Sequence, residues 1–215
     1  MKNIATKLAN YLLEIKAVKL SPENPFTWAS GLKSPIYCDN RQILSYPEIR
    51  NFVKESFATV IKENFQDAEY IAGVATGAIA VGVLTADLLG LPFVYVRPKA
   101  KDHGLKNQIE GKIEAGKKVV VVEDLVSTGK SSLEAVKALK EAGTEVLGMV
   151  SIFTYGLEVA KRNFEEAGCK LIPLTNYNIL LDEAIKNGYI NNTDLESLQT
   201  WRKDPENWYE LTLKK

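Results

Sequence analysis

Residues 118–132 read KVVVVEDLVSTGKSS, and the order of the parts decides the fold. The four valines at 119–122 leave no polar face, so the strand they predict is buried on both sides, as in a parallel sheet covered by helices on either surface. At its carboxyl end stand Glu123 and Asp124, then small and hydroxyl residues that open a helix. Open parallel sheets bind their ligands at that end.

Outward from this stretch the pattern repeats. The apolar runs YIAGVA (70–75), FVYV (93–96) and VLGMVSIF (146–153) alternate with the helical segments GAIAVGVLTADLLG (77–90) and SSLEAVKALKEAG (131–143). Gly90 with Pro92, and Gly143, stand where helix C-caps belong. LEVAKRNFEEAG, KLIPLT and ILLDEAIKNG continue the alternation, and Thr193 with Glu196 predict the cap of a last helix. Toward the N-terminus, Ile4, Leu8, Tyr11, Leu12 and Ile15 recur at helical spacing. Residues 21–46 pack three prolines and several aromatics into short pieces, as a small hood of brief strands does. Ser45 and Glu48 predict a capping box around Pro47 for the helix that follows. The expectation is one α/β domain over 1–215, a central, mainly parallel sheet flanked by helices, with hood elements from about 18–46 and a flexible loop at 97–116.

The chemistry follows from residue types. Ser127, Thr128, Gly129, Lys130 and Ser131 offer closely spaced amides, hydroxyl donors and the positive end of a helix, which suit a phosphate monoester. Two carboxylates do not favour that phosphate, but they accept hydrogen bonds from hydroxyls beside it, as on a ribose. Taken separately, the acid pair reads as a solvated strand end and STGKSS as a capped helix start; joined after an apolar strand, they point to a sugar-phosphate. A Walker A loop is excluded, because it needs glycine five positions before Gly129 and Asp124 stands there.

Residues 97–116, RPKAKDHGLKNQIEGKIEAG, show no helical or strand period and carry Arg97, Lys99, Lys101, His103, Lys106 and Lys112. Long loops inside compact domains are usually functional lids, and this set of cations suits a pyrophosphate. His103, the only histidine, stands beside Asp102 with no core to fill, and general-acid help to a leaving group is within its chemistry. The turn at 73–80, GVATGAIA, offers amides to a second anion.

Composition narrows the classes. Lys+Arg and Asp+Glu both number 27, so no broad positive field exists for nucleic acid or an anionic membrane. Cys38 and Cys169 lie in no metal-binding spacing, which argues against structural zinc and disulfides and fits a reducing cytoplasm. The first residues alternate charged and apolar, unlike a signal peptide, and no run approaches the roughly 18 apolar residues of a membrane span. A cytoplasmic protein is expected.

VVVVEDLVSTGKSS resembles the phosphoribosyl pyrophosphate motif of type I phosphoribosyltransferases. The resemblance implies that Glu123 and Asp124 contact the ribose hydroxyls, that the backbone and side chains of Leu125, Val126, Ser127, Thr128, Gly129, Lys130 and Ser131 hold the 5-phosphate, and that Thr76 and Gly77 belong to a pyrophosphate loop. Residues 97–104 are similar to the catalytic loop of orotate phosphoribosyltransferases, and FTWASGLKSPIYCDNR (26–41) resembles their hood, so the likeness covers nearly the whole chain. It implies a homodimer whose loops close over a neighbour's site, with Lys101, His103 and Asp124 catalytic and Arg97, Lys99, Lys101 and His103 on the pyrophosphate. Pro98 stands where members often carry lysine, Ala29 where some carry lysine, and Tyr155 where some carry arginine. A flat anionic pyrimidine needs an aromatic face and a cation, which Tyr37, Lys33 and Arg41 offer; Ser127, Tyr37 and Arg41 are then the expected orotate contacts, with Arg41 on the carboxylate. The reaction implied is magnesium-dependent transfer of ribose 5-phosphate to orotate, Mg²⁺ riding on the substrate's oxygens rather than on a protein cage. Another acceptor base, or a non-catalytic regulator of the same fold, are the alternatives.

Overall fold

The computed structural model describes residues 2–28, 30–98 and 108–212. Helix α1 (Lys2–Glu14) buries Ala5, Leu8, Ala9, Leu12 and Leu13; of the expected stripe Leu8 and Leu12 are buried in it, Ile4 and Tyr11 are half-buried, and Ile15 is buried just past its end. The hood follows as β1 (Val18–Leu20), β2 (Phe26–Thr27), β3 (Lys33–Ser34) and β4 (Ile36–Cys38), in two small antiparallel pairs, β1 with β4 and β2 with β3. A 3-10 turn, Asn40–Ser45, leads to α2 (Pro47–Asn64).

The capping box expected at Ser45 and Glu48 does not form. The 3-10 turn consumes Ser45, so Tyr46 becomes the N-cap with no side-chain cap bond and Pro47 the first helical residue. Glu48 Oε1 instead accepts from the Tyr11 hydroxyl at 2.9 Å.

The main sheet is built from β5 (Tyr70–Val74), α3 (Ile79–Leu89), β6 (Phe93–Val96), β7 (Ile109–Glu110), β8 (Lys118–Val126), α4 (Lys130–Glu141), β9 (Glu145–Thr154), α5 (Glu158–Glu166) and β10 (Leu171–Asn176). Strand order is β10-β9-β8-β5-β6-β7, parallel throughout except for β7. That strand corrects the reading of 97–116 as a loop without strand character: Tyr95 pairs with Glu110 and Val96 with Ile109. The chain runs from β5 outward to β6 and then crosses back to β8 on the other side of β5. The crevice between the carboxyl ends of β5 and β8 is therefore a topological switch point, where ligands bind.

The valine run is explained by the pleat. Val119 and Val121 face the core under α4 and α5, while Val120 and Val122 face the larger core shared with α1 and α2. All four are fully buried, each contributing about 1.5–3 kcal/mol of transfer free energy. The strand runs past them to Val126, so the two acids lie inside it rather than after it.

Three helices close the chain, α6 (Tyr177–Lys186), α7 (Asn192–Lys203) and α8 (Trp208–Thr212). The N-cap of α7 lies two residues before the Thr193 cap that the sequence suggests. Asn191 and Asp194 form the reciprocal capping box in place of Thr193 and Glu196, in keeping with asparagine's better fit as an N-cap. Trp201 and Trp208 are buried completely. Among the described residues no helix is long and apolar enough to cross a membrane.

Candidate active site

At the switch point lies a cavity of about 510 Å³. Its lining joins Val74 at the end of β5, Thr76 and Gly77 after it, Arg97 after β6, Glu123 and Asp124 on β8, Ser127, Thr128 and Gly129 in the turn that follows, and Ser131 in α4, with Arg41 from the hood. Gly129 takes φ +79° as the N-cap of α4, and a Cβ there would sit 2.7 Å from the Phe164 ring, so glycine is required for both conformation and packing. No side chain caps α4, which leaves its first-turn amides to an anion. Asn163 Nδ2 donates to the Thr128 carbonyl at 2.8 Å and ties the turn to α5. Across the cavity, a Cβ on Gly77 would overlap the Asp124 carboxylate, so the turn after β5 approaches that acid as closely as backbone allows.

The adjacent acids are not equivalent. Glu123 is 4% exposed, and its Oε2 accepts from Ser132 Oγ at 2.7 Å while Oε1 accepts from the Asp124 amide at 2.9 Å. Burial, reinforced by the charge of Asp124, pushes its carboxyl well above the usual range. Asp124 is half-buried, and its carbonyl accepts from Asn40 Nδ2 at 2.7 Å. Both acids line the cavity; Asp124 is the more exposed, while the two oxygens of Glu123 also tie the strand end to the start of α4.

A second cavity, about 370 Å³, is lined by Thr27, Trp28, Tyr37, Cys38, Leu125, Ser127 and Tyr155. It shares Cys38, Leu125 and Ser127 with the first. Trp28 lies 5.2 Å from the Tyr155 ring and 5.6 Å from that of Trp201, and its indole N–H donates to the Ile36 carbonyl at 3.1 Å. These walls suit a flat heterocycle. Burial, with the charges of Asp124 and Asp39 adding, holds the Cys38 thiol protonated, so it does not repel an anionic ring.

The sequence profile of the Phosphoribosyl transferase domain matches residues 39–185. The chain belongs to that family. The orotate phosphoribosyltransferase of Porphyromonas gingivalis is 57% identical to this phosphoribosyl transferase over 208 residues, covering 97% of this chain and 99% of the relative. That of Listeria monocytogenes is 55% identical over 206 residues, covering 96% and 99%. The crystal structure of orotate phosphoribosyltransferase from Aeropyrum pernix superposes with a TM-score of 0.74 at 28% identity, over 86% of this chain and 99% of that one.

Set against this phosphoribosyl transferase scaffold, the expected site residues divide. Arg97, Glu123, Asp124, Leu125, Ser127, Thr128, Gly129, Ser131, Thr76 and Gly77 line the first cavity, and Tyr37 lines the second with Ser127. Val126 is fully buried and does not line it, its carbonyl accepting from the Tyr155 amide and the Thr154 hydroxyl. Lys130, the first residue of α4, is exposed and does not line it either. Arg41 stands at the first cavity, not the aromatic one, with its Nε 2.6 Å from Asp39 Oδ1. Lys99, Lys101 and His103 lie outside the described residues.

Sequence reasoning passed over Trp28, Cys38, Asn40 and Glu134. Asn40 had a local signal, in the polar CDNR run at the hood's edge; Trp28 had none, since only folding brings it to Tyr155 and Trp201.

Proposed function

We propose that the protein transfers the ribose 5-phosphate unit of phosphoribosyl pyrophosphate to orotate, giving orotidine 5′-monophosphate and pyrophosphate, a step of pyrimidine nucleotide synthesis. The observation that carries this is the pair of adjoining cavities, one polar and anion-binding, the other aromatic, meeting at the wall of Cys38, Leu125 and Ser127. A sugar-phosphate in the first directs its anomeric carbon at a planar base in the second.

In the reaction a ring nitrogen of orotate forms a bond to the anomeric carbon as the bond to the pyrophosphate oxygen breaks. The α4 amides and the Ser127, Thr128 and Ser131 hydroxyls hold the 5-phosphate. Asp124 accepts from ribose hydroxyls and stabilises positive charge as it grows on the ring. Thr76, Gly77 and Arg97 face the leaving pyrophosphate, with Arg97 Nη1 3.5 Å from Glu110. Lys99, Lys101 and His103 complete the cation set, with Lys101 and His103 easing departure of the leaving group.

Among the described residues no cluster of three or more imidazole, thiol or carboxylate groups could hold a metal. A lone Asp124 carboxylate beside a diphosphate fits Mg²⁺, which keeps its waters and needs one or two carboxylates plus phosphate oxygens. Asp124 would hold such an ion, whose chemistry there would be to neutralise charge developing on pyrophosphate. The working form is a cytoplasmic homodimer with small-molecule substrates, and nucleic acid and membrane are not partners.

The test mixes protein, orotate, phosphoribosyl pyrophosphate and Mg²⁺ and follows orotate's ultraviolet absorbance. Turnover that stops on chelation is expected. An inert protein, or one that consumes a different base in preference, overturns the reading.

A further inference from the structure

The aromatic cavity contains no cation among its described lining residues, although orotate carries a carboxylate beside its ring. A buried anion without a positive partner is costly, so a cation must reach the rim. Arg41 does not serve: it lines the other cavity and is bonded to Asp39, whose carboxyl it holds below the ordinary range.

We infer that Lys33 is the specificity-determining residue for the carboxylate of the base, an assignment that rests on orotate being the acceptor. Lys33 and Thr27 are cross-strand partners in the β2–β3 pair, so their side chains share one face of the hairpin. Thr27 lines the aromatic cavity, and Lys33 Nζ donates to Thr27 Oγ1 at 2.7 Å, one hydroxyl away from the wall. No acid among the described residues lies within ion-pair distance of that ammonium, whereas Arg41, Lys117 and Lys118 are each paired. A second contact comes from the other end of the chain, where the Tyr209 ring of α8 faces Lys33 Nζ at 5.8 Å from its centroid. Hydroxyl and ring leave the ammonium's remaining protons for an anion. Neither quenches its charge. The flexible four-carbon stem makes that ammonium a mobile point charge beside the cavity wall.

The test uses the full-length protein with Lys33→Met and Lys33→Arg. For Lys33→Met, KM for orotate rises about 10- to 100-fold, as loss of a charge-assisted hydrogen bond predicts, while KM for phosphoribosyl pyrophosphate and the melting temperature barely move. The preference for orotate over uracil, the same ring without the carboxylate, falls by the same factor. Lys33→Arg, which keeps the charge, retains most of the preference. An orotate KM within about twofold of the parent, or an equal rise for both substrates, overturns the assignment. Should Lys33→Met not fold, Lys33→Gln, which keeps a donor and loses the charge, replaces it under the same criteria. A parent enzyme that does not turn over orotate defeats the functional reading instead, and the two failures are thereby distinguished.

Discussion

The two cavities share a wall but are made by different means. The cavity proposed for the phosphate is built on a turn after β5, the tip of β8 and the uncapped start of α4, all from one region of the sheet and all inside the residues that match the family profile. The base end is side chains, and most come from outside that match. Thr27, Trp28, Tyr37 and Cys38 precede it, and Trp201 and Tyr209, which back Trp28 and Lys33, follow it. Binding a phosphate takes amides that any short loop supplies, so one local motif carries it. Selecting a base takes side chains of particular shape, and these converge only when distant segments fold together.

If the two ends work separately, variants on one side must leave the other's substrate alone. The largest effect belongs to Asp124→Asn, which keeps the side chain's size and removes its charge from the ribose. Turnover drops about 10²- to 10³-fold, the usual cost of one electrostatic contact to the transition state, while KM for orotate and the melting temperature stay near the parent's. Parallel losses of melting temperature and activity would contradict a ligand-facing role for this acid.

The same division explains what could be read from the sequence. The sheet was legible because Val119, Val120, Val121 and Val122 must be buried on two faces, and the lining of the first cavity because most of its parts are consecutive. Cap positions were misplaced by a few residues, at Ser45 and Thr193, where a better-placed neighbour, or a 3-10 turn that no periodicity announces, took the role. Strand β7 escaped notice because two residues carry no period. The aromatic cavity is only partly legible: Tyr37 and Ser127 line it, Arg41 lines the other one, and the Trp28–Tyr155–Trp201 contacts join positions too far apart for any window to connect.

Trp201→Leu probes the base end from behind. The indole is fully buried against Trp28, Tyr155 and Tyr177, and its N–H finds no partner among the described residues, so the loss is one of shape alone. Stability falls by about 2–4 kcal/mol, and Trp28 loses the ring that fixes its tilt. KM for orotate rises about 10-fold while that for phosphoribosyl pyrophosphate is unchanged, read by steady-state kinetics below the variant's melting temperature. Equal rises for the two substrates would mean that the cavities are one mechanical unit.

The smallest effect separates the two neighbouring acids. Glu123 titrates above its ordinary 4.5 because burial disfavours its charge, and the unfolded chain restores the ordinary value. Between those two values the folded state binds more protons than the unfolded one, so stability falls as pH rises across the interval. The Glu123 contribution is therefore whole below the ordinary value and is lost as pH climbs through the raised one. Glutamine suits the same place without a charge: its oxygen accepts the Asp124 amide, and its NH₂ donates to Ser132 Oγ, a hydroxyl able to accept as well as to donate. The melting temperature of Glu123→Gln minus that of the parent should then start near zero at about pH 4, grow with pH, and level off once the parent's carboxyl is ionised. Its turnover should fall less than about 10-fold, against the far larger drop for Asp124→Asn. A difference in melting temperature that does not change with pH would mean that Glu123 titrates alike in the folded and unfolded chain, and a rate loss equal to that of Asp124→Asn would put both acids on the ribose.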